Sequence, residues 1–338
     1  MQLPAIFDNL KVIVPAGGDA PPAAPPGTPE APLTGKAFLQ LKDRLVIEYV
    51  LDFLRDCGLR RIWVVAPADA LARIPSRHAF TAVPQPPGAS FFDNLLAGCA
   101  AAAPAAGEPV LIAFGDHPLN APVALEFFLS RCLGLLDQAD FFHALSLQDS
   151  YRDYASWFTR TSVHMREMSG RASGLSLAVP SRLHGISRLQ ALYAVRKIER
   201  PGSFLRLLAH LASWLGASAP RSILDAFLMY AAKEMEKASR GSWTGSEVCR
   251  RLESQIAARL PVGRMERCAS RVLGAERGVR FIPVPHGGLA IDVDFAEELE
   301  TLERHWDAIR DVSGRQDRAL AGSMRTPATV EPRQSVGA

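Results

Sequence analysis

Three stretches in the first 115 residues are almost wholly apolar: LKVIV at 10–14, RIWVVA at 61–66 and PVLIAF at 109–114. A strand with one wet face alternates apolar and polar residues, whereas a strand that is apolar throughout has to be covered on both faces. Between these runs lie segments with helical spacing. LVIEYVLDFLRDCG (45–58) places Val46, Val50, Leu51 and Leu54 on one stripe, and Gly58 is a natural C-terminal stop. SFFDNLLAGCAAAA (90–103) opens on Ser90, a good N-cap, and APVALEFFLSRCLGLL (121–136) reads as a further helix. Buried strands joined by helices predict an α/β fold: a Rossmann-like, mostly parallel sheet with helices on both faces. In such sheets ligands sit outside the carboxyl ends of the strands. Two turns at such ends, Gly17-Gly18 and Gly115-Asp116, become candidate site segments.

The pattern changes after about residue 150. DFFHALSLQDSYRDYASWFTRTSVHMREM (140–168) is mixed, and from about Ile186 to Leu260 the chain reads as amphipathic helices. VRFIPVPHGGLAIDVDFAEELETLERHWDAI (279–309) returns to strand, turn and helix. The expected organisation is a core from 1–150 and 270–312, a mixed then helical insertion at 151–269, and a disordered, polar tail at 313–338. The charge of +3 is too small and too scattered for a nucleic-acid footprint. Five cysteines with no CxxC pair argue against a zinc centre or a disulfide framework and fit a reducing, cytoplasmic setting. The first residues lack a charged leader before an apolar run, so no signal peptide is expected, and no apolar stretch is long enough to cross a membrane. The stripe in SFLRLLAHLASWLG (203–216) can lie on a membrane surface or pack internally; the sparse basic residues opposite it favour packing.

The acidic residues carry the chemistry. Asp116 directly follows a buried strand, where a carboxylate can hold Mg²⁺ through hard oxygen contacts or simply serve as a turn or cap residue. Asp292 and Asp294 are two apart, so in extended chain both face one side, and like charges there need a cation or donor between them. The alternative is a solvent-facing edge with Asp294 capping the next helix. Together, Asp116 and Asp294 make a split Mg²⁺ site reasonable, since this ion takes one or two carboxylates plus substrate phosphates. Lys36 is the natural cation for a phosphate. TGKA at 34–37 is not a P-loop, because Glu30 stands where a glycine is required and Ala37 where a metal-binding hydroxyl is required. His117 and His286 flank the candidate segments and read as satisfied or surface histidines. Arg196-Lys197 reads as a solvated helix face or a phosphate grip.

The order of these pieces resembles the MobA-like NTP transferase group of the nucleotidyltransferase superfamily. The corresponding segments are VPAGG (14–18), GKAFLQLKDRLVIEYVLDFLRDCGLRRIWVV (35–65), GASFFDNLLAGCAAA (88–102), GDHP (115–118) and DVDFAEEL (292–299). The middle, with TRTSVHM, GRASGLSLAVPSRL and RMERCASRVLG, is similar to a bacterial branch with a helical insertion. The resemblance implies a nucleotide-diphospho-sugar transferase-like fold and Mg²⁺-dependent transfer of NMP from an NTP to a phosphorylated small-molecule acceptor, with release of pyrophosphate. It implies Lys36, Asp116 and Asp294 as catalytic residues, with the two aspartates as metal ligands. Ala16, Gly17, Gly18, Lys36, Gly88, Ser90 and Asn94 would bind the nucleotide, and Arg160, Arg196 and Lys197 the acceptor.

Two departures stand out. The family's Gly-x-Gly-Thr-Arg loop is replaced by GGDAPPAAPPGTPEAPLTGK (17–36), with six prolines between Pro21 and Pro32 and no arginine before Lys36. Each proline removes an N–H donor, and the missing arginine removes a bidentate phosphate partner. On the acceptor side, alignment on Pro180 puts Gly174 where the family has asparagine. The competing function is therefore a catalytically impaired relative that acts as a binding or scaffold module. A dinucleotide-binding oxidoreductase fits poorly, because no GxGxxG follows the first strand. Neither the base, the acceptor nor the oligomeric state is legible.

Overall fold

The structure, a computed structural model, describes residues 7, 9–17, 35–86, 88–158, 162–190, 255 and 260–325. In chain order its elements are β1 (Lys11–Pro15), the short pair β2 (Gln40–Leu41) and β3 (Arg44–Leu45), α1 (Val46–Asp56), β4 (Arg61–Ala66), α2 (Ala68–Leu71), β5 (Thr81–Pro84) and α3 (Phe91–Ala102). There follow β6 (Val110–Ala113), α4 (Pro122–Leu133), β7 (Phe141–Leu147), α5 (Gln148–Tyr151), β8 (Val163–His164), β9 (Ser169–Ala178), α6 (Val262–Leu273), β10 (Val279–Val284) and α7 (Ala296–Arg325).

The main sheet runs β10-β7-β9-β6-β1-β4-β5, with β8 paired on β9. Its neighbours are parallel except β9, which is antiparallel to β6 and β7 and to the short β8. Alternation along β1 shows why both faces are covered. Val12 and Val14 join a core with Val50 and Leu54 of α1 and Leu125, Phe128 and Leu129 of α4. Ile13 faces the other way, with Val65 and Val110, against Leu95, Ala97 and Cys99 of α3. Gly98 lets α3 lie close to the sheet, since a Cβ there would stand 2.5 Å from Ile13 Cγ2. The chain leaves β1 toward β4 and β5, then returns to the opposite side of β1 as β6. That reversal opens a crevice at the carboxyl ends of β1 and β6.

Two boundaries differ from the sequence expectation. Residues 169–178, expected within an insertion, form the long strand β9, hydrogen-bonded on both sides in the middle of the sheet. Its Leu175 and Leu177 enter the main core while Ser176 lies on the opposite face, bonded to His143 of β7. The core sheet therefore takes one strand from the segment assigned to the insertion, and the helical part at 191–254 lies outside the described residues.

The tail is the second correction. Residues 313–325, expected to be disordered, complete α7, and Ser313, Gln316 and Leu320 are buried. With Ile309 and Val312 these recur every three or four residues, a helical stripe within a polar composition. Gln316 ties the helix down: its Nε2 donates to Ser150 O and Asp153 Oδ2, both at 2.7 Å, and its Oε1 accepts from the Gly287 N–H at 2.7 Å. Substituting Leu320→Ala is expected to destabilise the fold by about 2–4 kcal/mol, the cost of emptying a buried leucine site. Urea unfolding measures it, and a disordered tail would leave the midpoint unchanged.

Candidate active site

The site is assembled where three backbones meet. The N–H groups of Ala16 and Gly17 both donate to Val65 O, carrying β1's pairing with β4 past the strand end. Gly115, just beyond β6, donates to Pro15 O at 3.2 Å. A Cβ on Gly115 would lie 3.0 Å from Ala16 Cβ and 3.2 Å from Ala37 Cβ. Three small residues thus bring the end of β1, the turn carrying Asp116 and the single 3-10 turn Lys36–Phe38 into contact. Ala37 is buried there, which explains why no hydroxyl stands after Lys36.

Asp294 arrives from the far end of the chain. The Val293 N–H donates to Asp116 O at 3.2 Å, holding the segment after the 3-10 turn Gly287–Ala290 beside the Asp116 loop. Residues 291–294 lie outside the sheet but keep alternating burial, with Ile291 and Val293 inward. Glu298 accepts from the N–H groups of Asp294 and Phe295 at 2.8 and 3.2 Å. The Asp294 carboxylate pairs with Lys36 Nζ. Asp292 accepts from Arg171 Nη2 at 3.2 Å, so each acidic residue of the pair has its own cation.

The electrostatics follow from this crowding. Burial pushes the Asp116 carboxyl above its ordinary range, and Asp292 and Asp294 push the same way, while His117 and Lys36 pull it down. Burial works to lower Lys36, but the charge and hydrogen bond of Asp294, then Asp116 and Asp292, outweigh it and leave the ammonium raised above the usual lysine value. Asp116 keeps about a quarter of its side chain exposed, yet its Oδ1 is buried with no hydrogen-bond partner among the described residues. Among the described residues no three or more His, Cys, Asp or Glu side chains form a closed metal centre. An orphaned carboxylate oxygen with a second carboxylate across the site is the donor set of an open, hard-cation site, and Mg²⁺ fits it.

His117, expected as a satisfied or surface histidine, is buried within this arrangement. Its Nδ1 lies 3.1 Å from Leu289 O, and because a carbonyl only accepts, the proton sits on Nδ1. Its Nε2 lies 3.7 Å from Asp116 Oδ1. The ring rests on Gly174, where a Cβ would stand 2.6 Å from His117 Cδ2. Gly174, the departure from the family's asparagine, is thus the space that His117 fills.

The residues expected on the nucleotide side divide. Asn94 is fully buried on α3, and its Nδ2 donates to Gly17 O at 3.0 Å and to Gln85 Oε1 at 3.1 Å. Its Oδ1 is buried without a partner among the described residues. Gln85, absent from the sequence expectation, presses on Gly17, whose hypothetical Cβ would be 1.7 Å from Gln85 Oε1. Ser90 is engaged locally as the N-cap of α3, its hydroxyl donating to Asp93 Oδ2 at 2.7 Å. Gly88 takes the left-handed backbone at φ 68° in the loop before it. Lys36, Asp116, Asp294, Ala16, Gly17 and Asn94 therefore converge. Gly18, with the proline-rich loop, and Arg160, Arg196 and Lys197 lie outside the described residues.

Residues 32–158 match the family model of the MobA-like NTP transferase domain. That segment of the chain is similar to a MobA-like NTP transferase domain. The match starts at Pro32, the last proline of the loop, takes in Lys36 and Asp116, and ends before Asp294. No curated protein matches the chain. Among solved structures it is similar to a hypothetical transferase from Thermus thermophilus, 22% identical over 86% of this chain and 99% of that one, with a TM-score of 0.56. It is also similar to CMP:2-keto-3-deoxy-manno-octonic acid synthetase complexed with CTP (13% identical, 89% and 99% covered, TM-score 0.46). A third is 4-diphosphocytidyl-2C-methyl-D-erythritol synthase from Anaerococcus prevotii (10% identical, 88% and 98% covered, TM-score 0.41). The Thermus structure shares this chain's fold, a mostly parallel sheet covered by helices. Among the described residues no helix is long and apolar enough to cross a membrane.

The raised Asp116 carboxyl makes a stability prediction. A carboxyl whose folded pKa lies above its unfolded value opposes folding once pH rises through the ordinary carboxylate range, and has no effect below it. Asp116→Asn is therefore expected to raise the melting temperature at pH 7. The gain should close as pH falls below about 4, and thermal unfolding across that pH range checks both parts.

Proposed function

We propose that this MobA-like domain is a nucleotidyltransferase. An acceptor phosphate oxygen forms a bond to the α-phosphorus of an NTP, the bond from that phosphorus to the bridging oxygen breaks, and pyrophosphate leaves with the electron pair. The observation that carries this reading is the convergence of Lys36, Asp116 and Asp294 at the carboxyl ends of β1 and β6, across 258 positions of sequence, with the Asp116 Oδ1 buried and without a hydrogen-bond partner among the described residues.

Each residue has a role that follows from its chemistry. Asp116 and Asp294 would hold Mg²⁺, which when bound neutralises charge on the phosphates. Lys36 supplies a positive charge against the negative charge that develops as pyrophosphate departs; positioning and charge neutralisation are most of what phosphoryl-type transfer asks of a protein. Gly17 lets the backbone approach the nucleotide, and Asn94 with Gln85 sets the floor on which the base or ribose rests. Arg160, Arg196 and Lys197 are proposed to grip the phosphorylated acceptor. The need for NTP places the reaction in the cytoplasm.

The rival reading, a scaffold that kept the fold, is favoured by the loss of amide donors in the proline-rich loop. A thermal-shift panel of the four NTPs with and without Mg²⁺ separates the two, since a ligand that binds the folded state raises its melting temperature. The enzyme should show a shift that needs the metal and prefers one base. Asp116→Ala and Asp294→Ala should each lower turnover at least ~100-fold; full activity in either variant rejects the assignment.

A further inference from the structure

The ion pair between Lys36 and Asp294 joins two residues with conflicting tasks. Lys36 is the cation offered to the phosphates, and Asp294 is one of two carboxylates offered to the metal, yet here each occupies the other. We propose that Lys36 is a place-holder for the divalent cation, so that metal and triphosphate enter this site as a coupled pair and neither binds well alone. This inference rests on the nucleotidyl-transfer reading of the same site.

An ammonium is a compact charge with three donors and no acceptor, and beside a carboxylate it does locally what a metal ion would do. Asp116 and Asp292 are close enough to act on the same ammonium, so Lys36 sits in the field of all three aspartates. A divalent ion entering that field meets a like charge already installed, and the repulsion is strong in a partly buried site. It also has to take Asp294 from its partner. A triphosphate removes both obstacles by giving Lys36 new oxygens, and a metal on Asp294 in turn frees Lys36 for the phosphates. Coupling of this kind is reciprocal: whatever factor the phosphate adds to metal affinity, the metal adds to phosphate affinity.

The backbone around Lys36 suits a side chain that swings while its base stays fixed. Ala37 and Phe38 are buried, and Arg73 Nη2 donates to Phe38 O at 2.9 Å. Gly35 turns the chain in with φ 59°. Exchange of partners therefore needs only rotation about the lysine stem.

The test is calorimetric titration of Mn²⁺ alone, and of inorganic tripolyphosphate in metal-free buffer, into wild type, Lys36→Met, Asp294→Asn and the double variant. Lys36→Met is expected to bind Mn²⁺ alone at least tenfold more tightly than wild type and to bind tripolyphosphate more weakly. Opposite signs cannot arise from general damage to the fold, and Lys36→Gln serves if the methionine variant does not fold. In the Asp294→Asn background the gain in Mn²⁺ affinity should vanish. Equal or weaker Mn²⁺ binding by Lys36→Met, with the NTP-dependent thermal shift intact, overturns the coupling and leaves the transferase reading standing. No Mn²⁺ binding by any of the proteins, with or without tripolyphosphate or NTP, overturns both.

Discussion

The close approach at Gly115 is the contact on which the rest of the site depends. Strand β6 delivers Asp116 only if its last turn can lie against Ala16 at the end of β1, and the Lys36 turn can dock only if Ala37 fits beside them. At Gly115 even a Cβ would require its neighbours to give way, since it would lie 3.0 Å from Ala16 Cβ and 3.2 Å from Ala37 Cβ. Lys36 and Asp116 are therefore placed by packing of small groups rather than by the polar contacts they make. Asp294 is then added by one backbone hydrogen bond from Val293 to the Asp116 loop. The geometry of the charged residues follows from apolar and backbone fit, which is directional and dry.

That placement works against stability. The site gathers Asp116, Asp292 and Asp294 around one lysine, with Arg171 paired to Asp292. Buried polar atoms left unpaired are unfavourable, and Asp116 Oδ1 and Asn94 Oδ1 are both so placed among the described residues. Both lie along the crevice that the sheet reversal opens; Asn120, Tyr154 and His286 also keep buried side-chain atoms without a hydrogen-bond partner among the described residues. Gln316, by contrast, makes three hydrogen bonds, and the buried Glu48 of α1 accepts from the Leu45 N–H and pairs with Arg77 and His78.

The parts legible in the sequence were those whose signal is local. Apolar runs announced β1, β4 and β6, the Ser90 cap announced α3, and an aspartate at the end of a buried strand announced Asp116. The spacing of Asp292 and Asp294 predicted a shared side and a need for cations, which Arg171 and Lys36 supply. What escaped was non-local. β9 has a strand's alternation, but its place between β6 and β7 is set by pairing with strands more than twenty residues away in sequence. The end of α7 is polar enough to read as solvated chain until the spacing of Val312, Ser313, Gln316 and Leu320 is weighed. Gln85 and His117 carry no motif; they matter because Gly17 and Gly174 leave space for them, and the absence of a side chain announces nothing about which neighbour fills it.

The order in which the chain supplies its parts has a further consequence. The strands from β1 to β9, the Lys36 turn and the Asp116 loop are complete within the first 180 residues, but Asp294 follows β10, and its anchor is the helix that begins two residues later. During synthesis, most of the sheet can close well before the crevice acquires Asp294. The growing chain thus passes through a stage with a folded crevice, a lysine without its carboxylate and an unoccupied edge on β7. The final strand and helix cover that edge and set the charge balance in one step, so completion of the sheet and arming of the site coincide.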